Sequence, residues 1–153
     1  MDRFLADKHA IEQVYIRYCE LIDAKDFDRL DEVFTPDTVG DYHLPGGYRS
    51  QTDSLATLIA SMHANLGAGS NCGPTHHNVG NFRIAVDGDT ARARVHYYAE
   101  HLGIGDFPGE LYGMWGQYDD TLVRTAHGWR VKHRLYTNSF TRGPIVTSPR
   151  SQP

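Results

Sequence analysis

The chain has 153 residues, a formal net charge of −4 and 40% hydrophobic residues, the size of one domain that buries its own core without disulfides or a structural metal. Acidic and basic residues are interspersed, with no basic stripe for phosphates and no polybasic patch, which excludes nucleic acid and membrane surfaces as expected partners. Only Cys19 and Cys72 occur, without CxxC spacing, and no segment has the apolar run of a signal peptide or a membrane span, so the expected location is cytoplasmic.

From Asp7 to Ala24, Ile11, Val14, Tyr15, Tyr18 and Ile22 recur at spacings of three and four, and Lys8, Glu12, Arg17 and Glu20 fill the other side. That periodicity predicts an amphipathic helix with Asp7 as its N-cap. Asp26 is placed to cap a shorter second helix whose stripe is Phe27, Leu30, Val33 and Phe34. Asp23 falls in the last turn of the first helix, where the negative end of the helix dipole disfavours a carboxylate. Its presence there requires a compensating partner.

Thr38 to His43 is a candidate strand leading into Pro45-Gly46-Gly47. Ser50, three residues before Asp53, resembles a capping box opening a third helix with Leu55, Leu58, Ile59, Met62 and Leu66 on its apolar face and His63 on its surface. Four strands follow, at 75 to 86, 90 to 102, 110 to 125 and 129 to about 140, with tight turns at Asp87-Gly88-Asp89 and His127-Gly128. Helices first and an antiparallel meander afterwards predict an α+β domain over residues 1–141. Residues 142–153, rich in Pro, Ser, Thr and Gly, read as an irregular tail that reaches for a neighbouring subunit.

Residues 73 to 84 place His76 and His77 side by side at the start of a strand. Adjacent strand residues face opposite ways, so one of the two at most meets a given pocket. Phe82, Ile84 and Val86 share parity with His76, while a bulge at Gly80 inverts the assignment; periodicity leaves both open. In the next strand Ala91, Ala93, Val95, Tyr97 and Ala99 define an apolar inner face that includes His101.

The run Ile-Glu-Gln-Val-Tyr-Ile-Arg-Tyr-Cys-Glu-Leu-Ile-Asp-Ala-Lys-Asp-Phe-Asp-Arg-Leu-Asp-Glu-Val-Phe, the later Thr-His-His-Asn-Val-Gly-Asn-Phe-Arg-Ile, and the closing Tyr-Asp-Asp-Thr-Leu-Val-Arg-Thr with Gly-Trp-Arg-Val together resemble the SnoaL-like branch of the NTF2-like superfamily. This branch includes scytalone dehydratase, bile-acid 7α-dehydratase and hexachlorocyclohexane dehydrochlorinase. The resemblance implies a cone-shaped α+β barrel, with a curved, mostly antiparallel sheet and three helices in the N-terminal half enclosing a pocket. It also implies a homodimer or homotrimer and no cofactor. The family's aspartate falls on Asp23 and its Thr-x-His histidine on His77, which implies an Asp–His dyad with His77 as base and Asp23 orienting it. Tyr42 and His101 match further pocket residues and are expected to polarise a carbonyl or protonate a departing hydroxyl. Ile22 stands where scytalone dehydratase has a tyrosine, and Tyr18 or Tyr118 is a candidate replacement.

Apolar parity adds Met62, Met114, Trp115 and Phe140 as substrate-lining candidates, with core packing as their competing role. Asp41 is another acidic candidate, but it turns away if Tyr42 turns in. Although nine histidines occur, no HExxH, facial-triad spacing or cysteine pair suggests a metal. The expectation is therefore a cofactor-independent lyase or isomerase, a dehydratase first, acting on a small hydrophobic cyclic or polyketide-like substrate. A polyketide cyclase or hydrolase with the same dyad is the nearest alternative. A non-catalytic ligand-binding or assembly domain, including one like the small β subunit of ring-hydroxylating dioxygenases, is the alternative of a different class.

Overall fold

In the computed structural model, which describes residues 2–153, the first helix, α1, spans Arg3–Asp23 and begins earlier than its apolar stripe alone suggests. Asp2, not Asp7, is the N-cap, its side chain accepting from the Phe4 amide at 3.1 Å. Asp7 lies in the second turn and is buried, accepting from Arg124 Nη1 and Nη2 at 2.8 and 2.9 Å and from Trp129 Nε1 at 3.2 Å. A forked arginine pair outweighs a local cap, and its partner lies far along the chain, where local reading does not reach. The rest of the stripe behaves as expected: Ile11, Val14, Tyr15, Tyr18 and Ile22 are all buried.

The second helical segment is a 3-10 helix, Phe27–Glu32, and Asp26 makes no capping hydrogen bond to it. Phe34, expected to close its stripe, instead opens strand β1, Phe34–His43. Strand β2, Arg49–Thr52, contains the serine expected to start the next helix. Helix α2, Leu55–Leu66, is capped by Ser54, whose hydroxyl accepts from the Thr57 amide at 3.1 Å while Thr57 Oγ1 accepts from the Ser54 amide at 3.2 Å. Threonine fills the place that glutamate or glutamine usually takes in a capping box, and the cap lies four residues after the Ser50 that the sequence pattern favours. His63 is exposed and pairs with Asp28 at 2.8 Å.

Strands β3 (Cys72–Asp87), β4 (Thr90–Gly103), β5 (Leu111–Thr125) and β6 (Gly128–Arg142) form the expected meander. The six strands lie in the order β2-β1-β6-β5-β4-β3, antiparallel throughout except where β1 runs parallel to β6. The chain enters the sheet at β1, leaves it for α2, and completes the meander beside its own first strand. Helix α1 packs against β3 and β6, and α2 against β1 and the 3-10 helix, so the core lies between the helices and one face of the sheet. No helix among the described residues is long and apolar enough to cross a membrane.

The tail folds back on its own chain. Ser70 bridges to Pro149, the Asn71 amide donates to Ser148 O at 2.8 Å, and Val146 is fully buried. The position of the α2 cap is directly testable. Ser54→Ala should lower stability by about 1 kcal/mol in urea denaturation, and Ser50→Ala should leave it within about 0.5 kcal/mol; the reverse order would restore the earlier start.

Candidate active site

Asp23 ends α1 and has its compensation in strand β3. Its Oδ1 accepts from Thr75 Oγ1 at 2.8 Å and from His77 Nδ1 at 2.7 Å, and its Oδ2 accepts from the His77 amide at 3.0 Å. Burial pushes the carboxyl up, but the hydrogen bonds from the His77 ring, the His77 amide and Thr75 outweigh it and hold the group below its ordinary value. Because Nδ1–H donates to the carboxylate, His77 presents Nε2 as a lone pair. The His77 side chain is only 8% exposed.

A bulge decides which histidine faces inward. The β3–β4 register shifts between Gly80 and Arg83, and Asn81 adopts a left-handed φ of 52°. Thr75, His77 and Val79 therefore share the inner face with Phe82, Ile84 and Val86, while His76 is exposed on the outer face opposite Glu100. The extra residue changes the parity that simple alternation would impose.

His101 on β4 is buried on the same face, with its ring 5.7 Å from that of His77 and at 82° to it. Its Nδ1 donates to the Tyr112 carbonyl at 2.8 Å. Burial holds its imidazole down at about 4, so at neutral pH His101 is uncharged and offers only an accepting Nε2. In this neutral state His101 can receive a hydrogen bond from a ligand hydroxyl through Nε2.

These groups border a cavity of about 250 Å³. Tyr18, Tyr42, Tyr118, Met62 and Met114 line it, as parity and resemblance placed them. Trp115 and Phe140 do not. Trp115 alternates outward next to inward Met114, stacking on Tyr98 at 4.9 Å and on Phe140 at 4.7 Å, and Phe140 is 58% exposed. Strand alternation forbids Met114 and Trp115 from sharing a pocket. Asp41 also faces away, accepting from His133 Nε2 at 2.8 Å and Gln51 at 3.0 Å.

Several wall residues escaped the sequence reading. Tyr97 shares the inner face with His101, so its parity was available; its hydroxyl donates to the Tyr136 hydroxyl at 2.5 Å and accepts from Asn138 at 3.2 Å. Gly116 makes room for it, since a Cβ there would stand 2.8 Å from the Tyr97 hydroxyl. Thr147 reaches the cavity from the tail, and Thr52 from β2. Behind the tyrosines lies Arg134, with 1% of its side chain exposed, paired through Nη2 with Asp120 at 2.9 Å and sandwiched by the Tyr18 and Tyr118 rings at 4.6 and 3.9 Å. Burial opposes that charge, but the Asp120 carboxylate outweighs it and keeps the guanidinium ionised.

The depressed His101 has a measurable consequence. Between pH 6.5 and 4 the unfolded chain binds a proton that the folded chain refuses, so stability present above pH 6.5 is lost as pH falls toward 4. The full shift corresponds to about 3 kcal/mol. Urea denaturation of the wild type should weaken over that range, and His101→Gln should flatten the dependence; an equally steep variant would remove His101 as the cause.

A SnoaL-like domain model matches residues 3–135. An uncharacterised protein of Mycobacterium tuberculosis is 36% identical over 140 residues, covering 90% of this chain and 89% of the relative. Among solved structures, a protein of Novosphingobium aromaticivorans assigned as a scytalone dehydratase superposes with a TM-score of 0.82 at 23% identity, covering 97% of this chain and 95% of that one. A hexachlorocyclohexane dehydrochlorinase of type 2 gives 0.74 at 14% identity with coverages of 97% and 95%. An NTF2-like superfamily protein of Salmonella enterica gives 0.74 at 19% identity with coverages of 88% and 92%. These structural likenesses show the fold as NTF2-like, and with the match across most of the sequence the chain belongs to the SnoaL-like domain family.

Proposed function

We propose that this protein is a cofactor-independent lyase, a dehydratase acting on a small, largely apolar cyclic or polyketide-like molecule. The observation that carries the reading is the 2.7 Å contact of Asp23 with His77 Nδ1 at the wall of an aromatic pocket. A base needs a free lone pair, a fixed tautomer and a counter-charge for the imidazolium it becomes. Asp23 supplies the last two to His77, and burial of the histidine ring limits competition from water. The names borne by the structurally similar dehydratase and dehydrochlorinase agree with an elimination.

The neutral state of His101 constrains the proton path. His77 Nε2 takes a proton from a carbon beside a carbonyl, and the C–H electron pair becomes the new double bond as the C–O bond breaks. In this scheme the same proton returns from His77 to the departing oxygen, which leaves as water. Proton and leaving group then lie on one face of the substrate ring, and His101 Nε2 accepts from the hydroxyl to orient it before it departs.

Turnover of a panel of hydroxylated cyclic ketones tests the assignment. His77→Ala should lower kcat/KM by about 10²–10⁴-fold, and Asp23→Asn should lower kcat by at least about 10-fold with the fold intact by circular dichroism. Full activity in His77→Ala on a substrate turned over by the wild type would end the dehydratase reading.

A further inference from the structure

The outer face of the sheet carries a group of charges that the lyase reading does not use. Arg83 on β3, Arg92 and Arg94 on β4, and Thr121 on β5 border one surface depression of about 310 Å³, with Ala85 and Asp119 also in its wall. Strand alternation turns these side chains away from the catalytic pocket. Ala91, Ala93, Val95 and Asp120, which alternate with them, are buried on the inner face.

The register brings the arginines together. Arg83 is the first residue of β3 to pair after the bulge and stands directly across from Arg94, while Arg92 faces Ala85 on one side and Thr121 on the other. The bulge that turns His77 inward thus also sets one arginine against another. No run of the sequence shows a basic patch here, because Arg83 and the β4 arginines meet only across the ladder.

Like charges directly opposite each other weaken a β ladder, and only one of the three is compensated. Arg94 Nε donates to Asp119 Oδ1 at 2.7 Å. Its Nη1 and Nη2, the side chains of Arg83 and Arg92, and the Thr121 hydroxyl make no hydrogen bond among the described residues, and Asp87, the next outward carboxylate on β3, forms no ion pair with Arg92. Three guanidiniums against one carboxylate leave two positive charges around one opening. That chemistry selects the occupant. A guanidinium fork matches a carboxylate or a phosphate through two parallel hydrogen bonds, but a carboxylate cancels only one charge. A phosphate monoester carries close to two negative charges at neutral pH and presents three accepting oxygens, which matches both the charge and the several donors of the wall.

We propose that Arg83, Arg92, Arg94 and Thr121 form a binding site for one phosphate dianion, free or carried as the monoester of a small molecule, on the face of the sheet away from the catalytic pocket. The site does not depend on the lyase reading. Arg83 and Arg92 hold the phosphate oxygens in forked hydrogen bonds, Arg94 adds its Nη hydrogens, and Thr121 donates its hydroxyl. The bound dianion removes the repulsion between Arg83 and Arg94, so it stabilises the β3–β4 ladder as it binds.

The test is a titration of the full chain with inorganic phosphate and with phenyl phosphate at neutral pH and constant ionic strength, followed by the arginine Nε–H cross-peaks in ¹H–¹⁵N spectra. Both ligands should shift the Arg83, Arg92 and Arg94 peaks to saturation, and nitrate should not. Arg83→Gln and Arg92→Gln, both at exposed positions, should each weaken phosphate binding about three- to tenfold. Arg49→Gln, which removes the same charge from β2, should change it less than about twofold. Asp119→Asn should tighten binding, because it removes the one negative charge of the wall and frees Arg94 Nε. Tighter binding of phenyl phosphate than of inorganic phosphate supports a monoester as the ligand, and equal binding supports the free ion. Nitrate shifts equal to those of phosphate, or an affinity unchanged within twofold in both Arg83→Gln and Arg92→Gln, overturn the site. His77→Ala should bind phosphate as the wild type does, whatever becomes of its turnover.

Discussion

Everything in the site depends on one carboxylate in an electrostatically poor position. Asp23 closes α1, where the unpaired carbonyls repel it, and three donors from Thr75 and His77 reverse that penalty. The same bonds tie the end of the helix to β3 and fix the plane and tautomer of the imidazole. A single cluster thus joins two elements and orients an imidazole. Lys25, in the left-handed region at φ 56°, turns the chain just after it and donates to the Leu66 and Cys72 carbonyls, holding the α2 end and the start of β3 in reach.

Around that cluster the interior is aromatic without being dry of polarity. The Tyr97, Tyr118 and Tyr136 rings stack or tilt against one another at 4.9 to 5.8 Å, giving rigid walls with few rotatable bonds. Beneath them a buried Arg134–Asp120 pair occupies volume that apolar side chains would fill at no loss, and often at a gain, in stability. His101 follows the same logic, since a neutral imidazole held by a backbone carbonyl costs less in such a wall than a charged one.

Much of the architecture was legible in local pattern. The 3.6-residue stripe from Ile11 to Ile22 and the alternation from Ala91 to His101 each marked their buried faces correctly, because a single element's period reports which side it buries. Local pattern failed where two signals competed. Asp7 and Ser50 each had the chemistry of a cap, yet Asp7 was claimed by Arg124 and Trp129, and Ser50 by the β1–β2 pairing. Trp115 and Phe140 were hydrophobic enough for a pocket, but alternation sends them to the outer face, where they stack on each other.

The sequence by itself determined the class of the fold and most of its elements, because periodicity is a local property of the chain, and the resemblance of its motif segments singled out Asp23 and His77. Only the tertiary structure decided what periodicity left open, that His77 and not His76 turns inward, and also that His101 ties its Nδ1 to a carbonyl and that Arg134 stands behind the tyrosine wall. Each of those outcomes depends on a contact between distant segments: a bulge opposite β4, the Tyr112 carbonyl on β5, and the Asp120 carboxylate that pairs with Arg134.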